Sequence, residues 1–391
     1  MLLALTTGFA LSQAFRTITA IIATGLQAEF GLSPQALGLF AGAFAFAFGS
    51  MQLLMGVGID FFGLRRTLLT AFPLTVVGCL LSAWAPSYPL VLLGQALIGV
   101  GCAPAFLVCT VFIARHFPAQ RFAMVSGVSM GVGGLGMLLT GTPLAWLVEQ
   151  SSWRMGFAVL AGLCALAWLL IFGCVHEPAP APGTQPRESL AATFRGFGAL
   201  FLMPHTWGIL LLGLVTYAGF LALRGLWLGP LLIERHGFSL VQSGNVALLM
   251  SLISLFSPAF LGRLDPGPAR RRGWILAFTL VMCLLLAAMG LLHHAWVDVG
   301  CALAVGGLTG YIVLQYADVR NAYPAAMTGR AMAVFTMAMF LGVALMQWVT
   351  GLAASWAHAQ GSEPFQAVLL TMAALLALGM LGFRWLPAPK G

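Results

Sequence analysis

Charged side chains are scarce in this sequence. Asp, Glu, Lys and Arg together make up 7% of the 391 residues, whereas 60% are hydrophobic and the mean hydropathy is +0.98. A soluble domain carries about 25% charged residues, so the composition excludes a soluble globular protein. It predicts a polytopic membrane protein whose main partner is the lipid bilayer.

The sequence also lacks the patterns on which enzymes, metal sites and nucleic-acid-binding surfaces depend. The seven cysteines lie in apolar runs without a CxxC pair, so we expect buried thiols and no metal site. The net charge of +8 comes from scattered basic residues and not from a patch interleaved with aromatics, which argues against nucleic acid. Without a Ser/His/Asp or Cys/His constellation, we expect no enzyme and no cofactor.

Long hydrophobic runs are what the sequence has instead. Twelve segments come close to the length of about 20 residues that a helix needs to cross a bilayer. Turn-forming and charged residues separate them. The predicted spans are residues 3–25, 37–59, 67–85, 89–112, 122–147, 155–175, 206–232, 240–262, 274–293, 297–317, 330–355 and 365–385.

The basic residues predict how these spans are oriented. With the termini inside, the inner gaps hold 14 basic residues and the outer gaps hold only Arg154 and Arg235. Cytoplasmic loops are enriched in Lys and Arg, so both termini are predicted to be cytoplasmic. We expect a multi-pass monomer in the inner (plasma) membrane.

A Pro-rich stretch, "EPAPAPGTQPRE" (177–188), divides the spans into six and six. The predicted organisation is an N-terminal six-helix bundle at 1–175, a cytoplasmic linker at 176–204 and a C-terminal six-helix bundle at 205–391. Within the linker, "SLAATFRGFGALF" (189–201) is compatible with a short amphipathic helix on the membrane surface.

The two halves repeat each other at a nearly constant offset. Asp60 and Arg65 recur 205 residues later as Asp265 and Arg270. A parallel repeat of two six-span halves is a transporter architecture, in which the substrate site lies between the halves near the middle of the bilayer.

The loop after the second span carries a family resemblance. "GVGIDFFGLRR" (56–66) resembles the G-x-x-x-D-x-x-G-x-[RK]-[RK] loop between spans 2 and 3 of the major facilitator superfamily. "GQALIGVGCAPA" (94–105) resembles that superfamily's fourth-span motif, with Gln95 where many members carry Arg. The resemblance implies an all-α membrane protein of twelve helices in two six-helix bundles.

The same resemblance implies a role for the loop. In the superfamily its Asp and Arg form a charge-relay latch between the halves. The matching residues here are Gly56, Asp60, Gly63, Arg65 and Arg66. The alternative is that the loop is only a turn with a topology signal.

Two arginines fall inside predicted spans, Arg16 in span 1 and Arg224 in span 7, 208 residues apart. An arginine at the centre of a membrane helix costs about 2.5–3.5 kcal/mol on insertion scales. Snorkelling to the outer surface is unfavourable, because Glu29 lies about 20 Å beyond Arg16 at 1.5 Å per residue. All ten acidic residues lie at or near span ends, so a buried carboxylate partner is not evident.

Two interpretations of the arginines remain. They tie the halves together through backbone carbonyls and Gln or Tyr side chains, or they face a wet cavity and bind an anion, for which a bidentate guanidinium is well suited. Paired arginines on spans 1 and 7 resemble the organophosphate and related organic-anion transporters of the superfamily. That resemblance implies that Arg16 and Arg224 are an anion-binding pair.

Helical spacing predicts neighbours for this site. Gln13 shares a face with Arg16, and both Tyr217 and Trp227 share one with Arg224. In span 10, Tyr311 and Gln315 form a polar pair one helical turn apart that is expected to line the cavity.

The sequence therefore predicts a secondary transporter that takes up a small organic anion by alternating access, with coupling to protons. A drug or metabolite exporter and a non-transporting membrane sensor are the alternatives.

Overall fold

The computed structural model describes residues 1–176 and 190–387, without the side chains at positions 60, 119, 120, 122–124, 127, 190–195, 325 and 326. The described chain is all-helical. It contains eleven helices that are long and apolar enough to span a membrane. A bent pair of shorter helices, Leu2–Phe15 with Thr19–Phe30, brings the number of spans to twelve if the pair is counted as one span. The predicted fold class and number of spans are therefore confirmed.

Six spans form the first half. Their helices are, in order, Leu2–Phe15 with Thr19–Phe30 (span 1), Pro34–Phe62 (span 2), Leu64–Ala71 with Pro73–Trp84 (span 3), Tyr88–His116 (span 4), Ala119–Leu139 with Thr142–Gln150 (span 5) and Trp153–Cys174 (span 6).

A further helix, Leu190–Phe201, precedes the second half at the position predicted for a linker helix; the rest of that linker, 177–189, lies outside the described residues. The spans that follow are Pro204–Ala222 continued by Leu223–Trp227, Leu228–Pro230 and Leu231–Arg235 (span 7), Leu240–Arg263 (span 8), Pro268–Leu292 (span 9), Ala295–Leu308 with Thr309–Tyr311 and Ile312–Ala322 (span 10), Ala325–Ala359 (span 11) and Pro364–Trp385 (span 12).

Equivalent spans of the two halves begin with the same local signals. Ser33 precedes span 2 and Ser239 precedes span 8, and each serine side chain accepts a hydrogen bond from a backbone N–H of the first helical turn. Gly63 (φ 87°) precedes span 3 and Gly267 (φ 83°) precedes span 9, and both adopt a left-handed conformation that only glycine takes at little cost. The repeat seen in the sequence is thus a repeat of backbone geometry.

The halves meet at the end of the molecule away from the chain termini, which we call the far end. Gly38 of span 2 packs on the Gln347 carbonyl of span 11, and Gly229 of span 7 packs on the Ala20 carbonyl of span 1 so closely that an added Cβ would overlap that oxygen. On the opposite side, Thr142 of span 5 donates a 2.6 Å hydrogen bond to Asn245 of span 8. We call these contacts the far-end seam.

One ion pair and the hydrogen bonds around it, which together we call a strut, connect three helix ends at the far end of the first half. Arg154 at the start of span 6 pairs with Glu29 at the end of span 1 and donates to the Ala83 carbonyl of span 3 at 3.1 Å. Trp153 donates to the same Glu29 at 2.8 Å. Three helix ends are therefore fixed by one acid and one arginine.

The second half has the same strut with the charges exchanged. Arg235 at the end of span 7 pairs with Glu363 at the start of span 12 and donates to the Met289 carbonyl of span 9 at 2.8 Å. Met289 lies 206 residues after Ala83. The buried carboxylate of Asp298 also accepts from Arg235, at 3.0 Å, and contacts His236 at 2.7 Å. Arg154 and Arg235, the two basic residues that the sequence analysis assigned to the outer gaps, are thus the arginines of the two struts.

The ionisation of Glu363 reflects this strut. Burial alone would raise its pKa, but hydrogen bonds from Arg235 and from His293 outweigh burial and hold the pKa of Glu363 below its usual range. The carboxylate therefore stays charged through the neutral range.

The two struts should differ in how much they stabilise the protein. We expect Arg235→Gln to destabilise the protein by about 3–5 kcal/mol, because it leaves the buried Asp298 without its arginine. Its partly exposed counterpart, Arg154→Gln, should cost about 1 kcal/mol or less, because its ion pair with Glu29 is accessible to solvent. Thermal unfolding of the purified variants in detergent checks this, and equal losses in the two variants would contradict it.

Candidate functional site

Arg16 lies at a break in span 1. The helix ends at Phe15 and resumes at Thr19, and the two parts are bent by 49°. The side chain is 9% exposed, so the guanidinium is buried in the middle of the molecule and not at a surface. A helix break places unpaired backbone groups and a polar side chain together in the membrane, which proteins tolerate where the backbone lines a cavity or packs on protein.

The surroundings of Arg16 come from both halves. Its Nη1 donates to the Tyr217 hydroxyl of span 7 at 3.2 Å. Its guanidinium lies over the ring of Phe48 in span 2 at 5.0 Å and over that of Phe340 in span 11 at 4.7 Å. Aromatic faces stabilise a cation without neutralising it. The charge of Arg16 is therefore held in place but stays available to an anion.

Two buried polar atoms at this site have no hydrogen-bond partner among the described residues. They are Nε of Arg16 and Oε1 of Gln13, which lies one helical turn earlier in span 1. An unsatisfied buried polar atom is costly, on the order of 1–3 kcal/mol, so such atoms indicate a missing ligand or water. The donor and the acceptor together are compatible with a hydroxylated acid.

Arg224 lies in a π-helical segment of span 7, Leu223–Trp227, and is fully buried. Its Nε donates to the Ala247 carbonyl at 3.0 Å and to the Ser251 hydroxyl at 2.9 Å, both in span 8. Its Nη2 donates to the carbonyls of Met137 at 3.3 Å and Thr140 at 3.4 Å, both in span 5. One guanidinium therefore contacts both halves, while its Nη1 has no partner among the described residues.

Neither arginine is neutralised by an acid. Within the described residues, the ion pairs involve other arginines and histidines, and no carboxylate lies within 4.0 Å of Arg16 or Arg224.

The other predicted site residues divide into two groups. Tyr217, predicted on the face of Arg224, contacts Arg16 of the other half from a position two helical turns before Arg224 in span 7. The others have partners within the second half. Trp227 donates to Thr350 at 2.9 Å, Tyr311 contacts Thr279 at 3.1 Å, and Gln315 accepts from Thr216 at 3.0 Å.

Sequence reasoning missed the two rings over Arg16. Phe48 and Phe340 are two of 28 phenylalanines in an apolar chain, and nothing in their spacing distinguishes them from lipid-facing ones. The spacing that predicted Tyr311 as a cavity residue also did not identify Tyr316, whose hydroxyl is 2.9 Å from that of Thr336. A contact between sequentially remote spans leaves no local signal in one sequence.

The predicted latch loop is partly described. Gly63 provides the turn, Arg65 donates to the Phe172 carbonyl at 3.0 Å within the first half, and Arg66 is exposed. Gly56 lies in span 2 in ordinary contact with Leu107, and the side chain of Asp60 lies outside the described residues. The latch therefore stays a prediction.

The second copy of the loop forms a closed pair. Arg271 donates to both carboxylate oxygens of Asp265, with Nη2 at 2.7 Å from Oδ2 and Nε at 3.0 Å from Oδ1. This hydrogen bonding holds the pKa of Asp265 below its usual range. The acid and the arginine of this copy thus neutralise each other within the second half.

Comparison with known proteins identifies the family. The model of the Major Facilitator Superfamily matches residues 5–346. The chain belongs to the major facilitator superfamily. This superfamily member is accordingly a multi-pass membrane protein of a transporter family and not of an enzyme family.

Its curated relatives are distant. It is 27% identical to a probable sulfoacetate transporter of Cupriavidus necator over 42% of this chain and 38% of the relative, and 26% identical to a vacuolar membrane amino acid uptake transporter of Schizosaccharomyces pombe over 45% and 30%. A hexuronate transporter of Bacillus subtilis is 25% identical over 70% of this chain and 67% of that protein. The matched region thus spans only about a third of the first two relatives.

Solved structures share the fold of this superfamily member. The xylose transporter XylE from E. coli, in a partially occluded inward open conformation, superposes with a TM-score of 0.76 at 16% identity, covering 100% of this chain and 98% of that one. A bacterial homologue of the lysosomal transporter Spinster, inward-facing and unoccupied, gives 0.74 at 16% identity, covering 98% and 96%.

The hydroxyl of Tyr217 should matter more than an ordinary buried hydroxyl. We expect Tyr217→Phe to destabilise the protein by about 1–3 kcal/mol, because it leaves a buried charged donor of Arg16 unpaired. Tyr316→Phe, which removes a bond to the neutral Thr336, should cost roughly 0.5–1.5 kcal/mol. Thermal unfolding of both variants without ligand provides the comparison, and a larger loss for Tyr316→Phe would contradict this account of Arg16.

Proposed function

We propose that this transporter moves a small organic anion across the plasma membrane by alternating access, and that Arg16 binds the anionic group. The observation that carries the proposal is a buried guanidinium between the two halves, held by aromatic rings and a hydroxyl and not by a carboxylate. An anion is the partner that such a charge lacks.

The chemistry of the site favours a carboxylate, sulfonate or phosphate ester that also carries hydroxyl groups. Nε of Arg16 is a free donor and Oε1 of Gln13 a free acceptor, so a hydroxyl of the substrate would satisfy the amide while its anionic group contacts the guanidinium. The names of the relatives support this class, since they include sulfoacetate, hexuronate and D-galactonate transporters.

The conformation supports alternating access. The far-end seam closes the molecule on one side of Arg16, with backbone-to-backbone packing at Gly38 and Gly229. The positive-inside pattern predicts that the termini are cytoplasmic. On that orientation the far end faces outward, and the described state is closed to the outside.

We place the coupling proton with the substrate, so that one anion and one proton cross together, because no carboxylate lies within 4.0 Å of Arg16 or Arg224 among the described residues. Near the end of span 10, Asp318 pairs with Arg272 at 3.3 Å and is the other group in a position to carry the proton.

A thermal-shift screen of the purified protein against organic anions tests the substrate class. We expect a hydroxylated organic anion to stabilise the wild type, and Arg16→Lys to weaken its binding roughly tenfold or more, because an ammonium cannot form the paired bonds of a guanidinium. Arg263→Lys, at an exposed position at the end of span 8, is the matched control and should bind as the wild type does.

Uptake into proteoliposomes tests transport. A hit from the screen should accumulate when the outside is acidic and cease to accumulate when a protonophore collapses the gradient. Stabilisation by cationic or neutral drugs alone would favour an exporter, and binding without counterflow would favour a sensor. Either result would contradict the proposal.

A further inference from the structure

Span 5 is interrupted where the two halves meet, and span 11, its equivalent, is not. The first helix of span 5 ends at Leu139, and Pro143 occupies the first turn of the second, Thr142–Gln150. Span 11 runs as one helix, Ala325–Ala359. A helix end leaves its last carbonyls without intrahelical donors, so span 5 presents acceptors at this depth that span 11 does not.

Arg224 occupies those acceptors from the other half. Its Nη2 donates to the carbonyl of Met137, in the last turn of the interrupted helix, and to that of Thr140, the residue that follows the helix. A cation at a helix C-terminus is favoured because the exposed carbonyls carry partial negative charge. Through Nε, the same guanidinium stays bound to span 8 of its own half. Arg224 is thus a cross-link between spans 5 and 8.

The repeat explains why Arg16 does not do the same. By symmetry Arg16 faces spans 2 and 11, but span 11 is continuous there and its carbonyls are used within the helix. Arg16 contacts the ring of Phe340 instead and retains a free donor. The two arginines therefore occupy equivalent places with unlike acceptors. Arg224 donates to backbone carbonyls of the other half, whereas Arg16 donates to a tyrosine hydroxyl there, and each keeps one guanidinium nitrogen without a partner among the described residues.

We infer that Arg224 is a gating residue that closes the far end by capping the interrupted helix of span 5, whereas Arg16 holds the anion. This division of roles rests on the proposed function for Arg16 but not for Arg224, whose contacts are present without a ligand. Opening the far end requires Nη2 to leave the carbonyls of Met137 and Thr140 while Nε stays with Ala247 and Ser251.

Electron-spin distance measurements on the ligand-free protein test the gate. Labels at Ser151→Cys and Gln360→Cys, exposed far-end positions of the first and second halves, report the opening of the seam. Cys174 and Cys301, the two native cysteines that are not buried, are replaced by serine in this background. We expect Arg224→Met to raise the population at long distance roughly tenfold, since a hydrogen bond to a charged group is worth about that factor.

Two further variants keep the test decisive. Gly229→Ala opens the seam by overlap with the Ala20 carbonyl and should give the same long distance without touching Arg224. Arg224→Lys should give an intermediate population, because one ammonium does not span the acceptors of both halves. The control is Arg272→Met, whose partners Asp318 and Phe383 lie within its own half, and it should leave the distance unchanged.

Binding of inorganic phosphate and of any anion found in the thermal-shift screen separates the two roles. Arg224→Met should bind such an anion about as tightly as the wild type, and Arg16→Met should not. A distance distribution in Arg224→Met identical to that of the wild type overturns the inference, as does loss of anion binding in Arg224→Met without a change in distance. If no anion binds to the protein, the proposed function is wrong, but the distance result for Arg224 still tests the gate.

Discussion

A guanidinium buried in a membrane protein has to find acceptors, and the fold around Arg16 and Arg224 is arranged by that requirement. The charge costs about 2.5–3.5 kcal/mol to insert, more than one ordinary hydrogen bond returns. Each arginine therefore lies where helical geometry is interrupted, Arg16 at the bend of span 1 and Arg224 in the π-helical part of span 7. At those places side chains and backbone carbonyls of both halves come within reach.

The far-end seam depends on the same places. Gly225 and Gly229 bring the backbone of span 7 against the carbonyls of Arg16 and Ala20 in span 1. The span that carries Arg224 therefore packs directly on the span that carries Arg16. Because interiors are packed to near crystal density, such a seam is either closed or open and has no half-way state. The struts of Arg154 and Arg235 hold the far ends of spans 1 and 7 to their own halves, so in the proposed alternating access these ends would move with the halves.

Much of the fold follows from patterns that a single chain carries. Gly63 and Gly267 mark turns that only glycine adopts readily, Ser33 and Ser239 mark helix starts, and the two membrane arginines identify the centre. Spacing along one helix predicts Gln13, three residues before Arg16, as a site residue, and that role stays a prediction. The rings over Arg16 and the Tyr217 hydroxyl that accepts from it come from other spans, so no spacing within one helix predicts these contacts.

Hydrogen bonds from an arginine to backbone carbonyls suit a gate better than an ion pair between an arginine and a carboxylate. Leaving one member of a buried ion pair unpaired costs about 3–5 kcal/mol, whereas a hydrogen bond between a charged and a neutral group contributes about 1.5–3 kcal/mol. Alternating access needs two states within a few kcal/mol of each other, so a carboxylate opposite Arg224 would hold the far end shut. The described carboxylates of Glu29, Glu363 and Asp265 instead pair within one half, where their ion pairs would not need to break in the proposed alternating access.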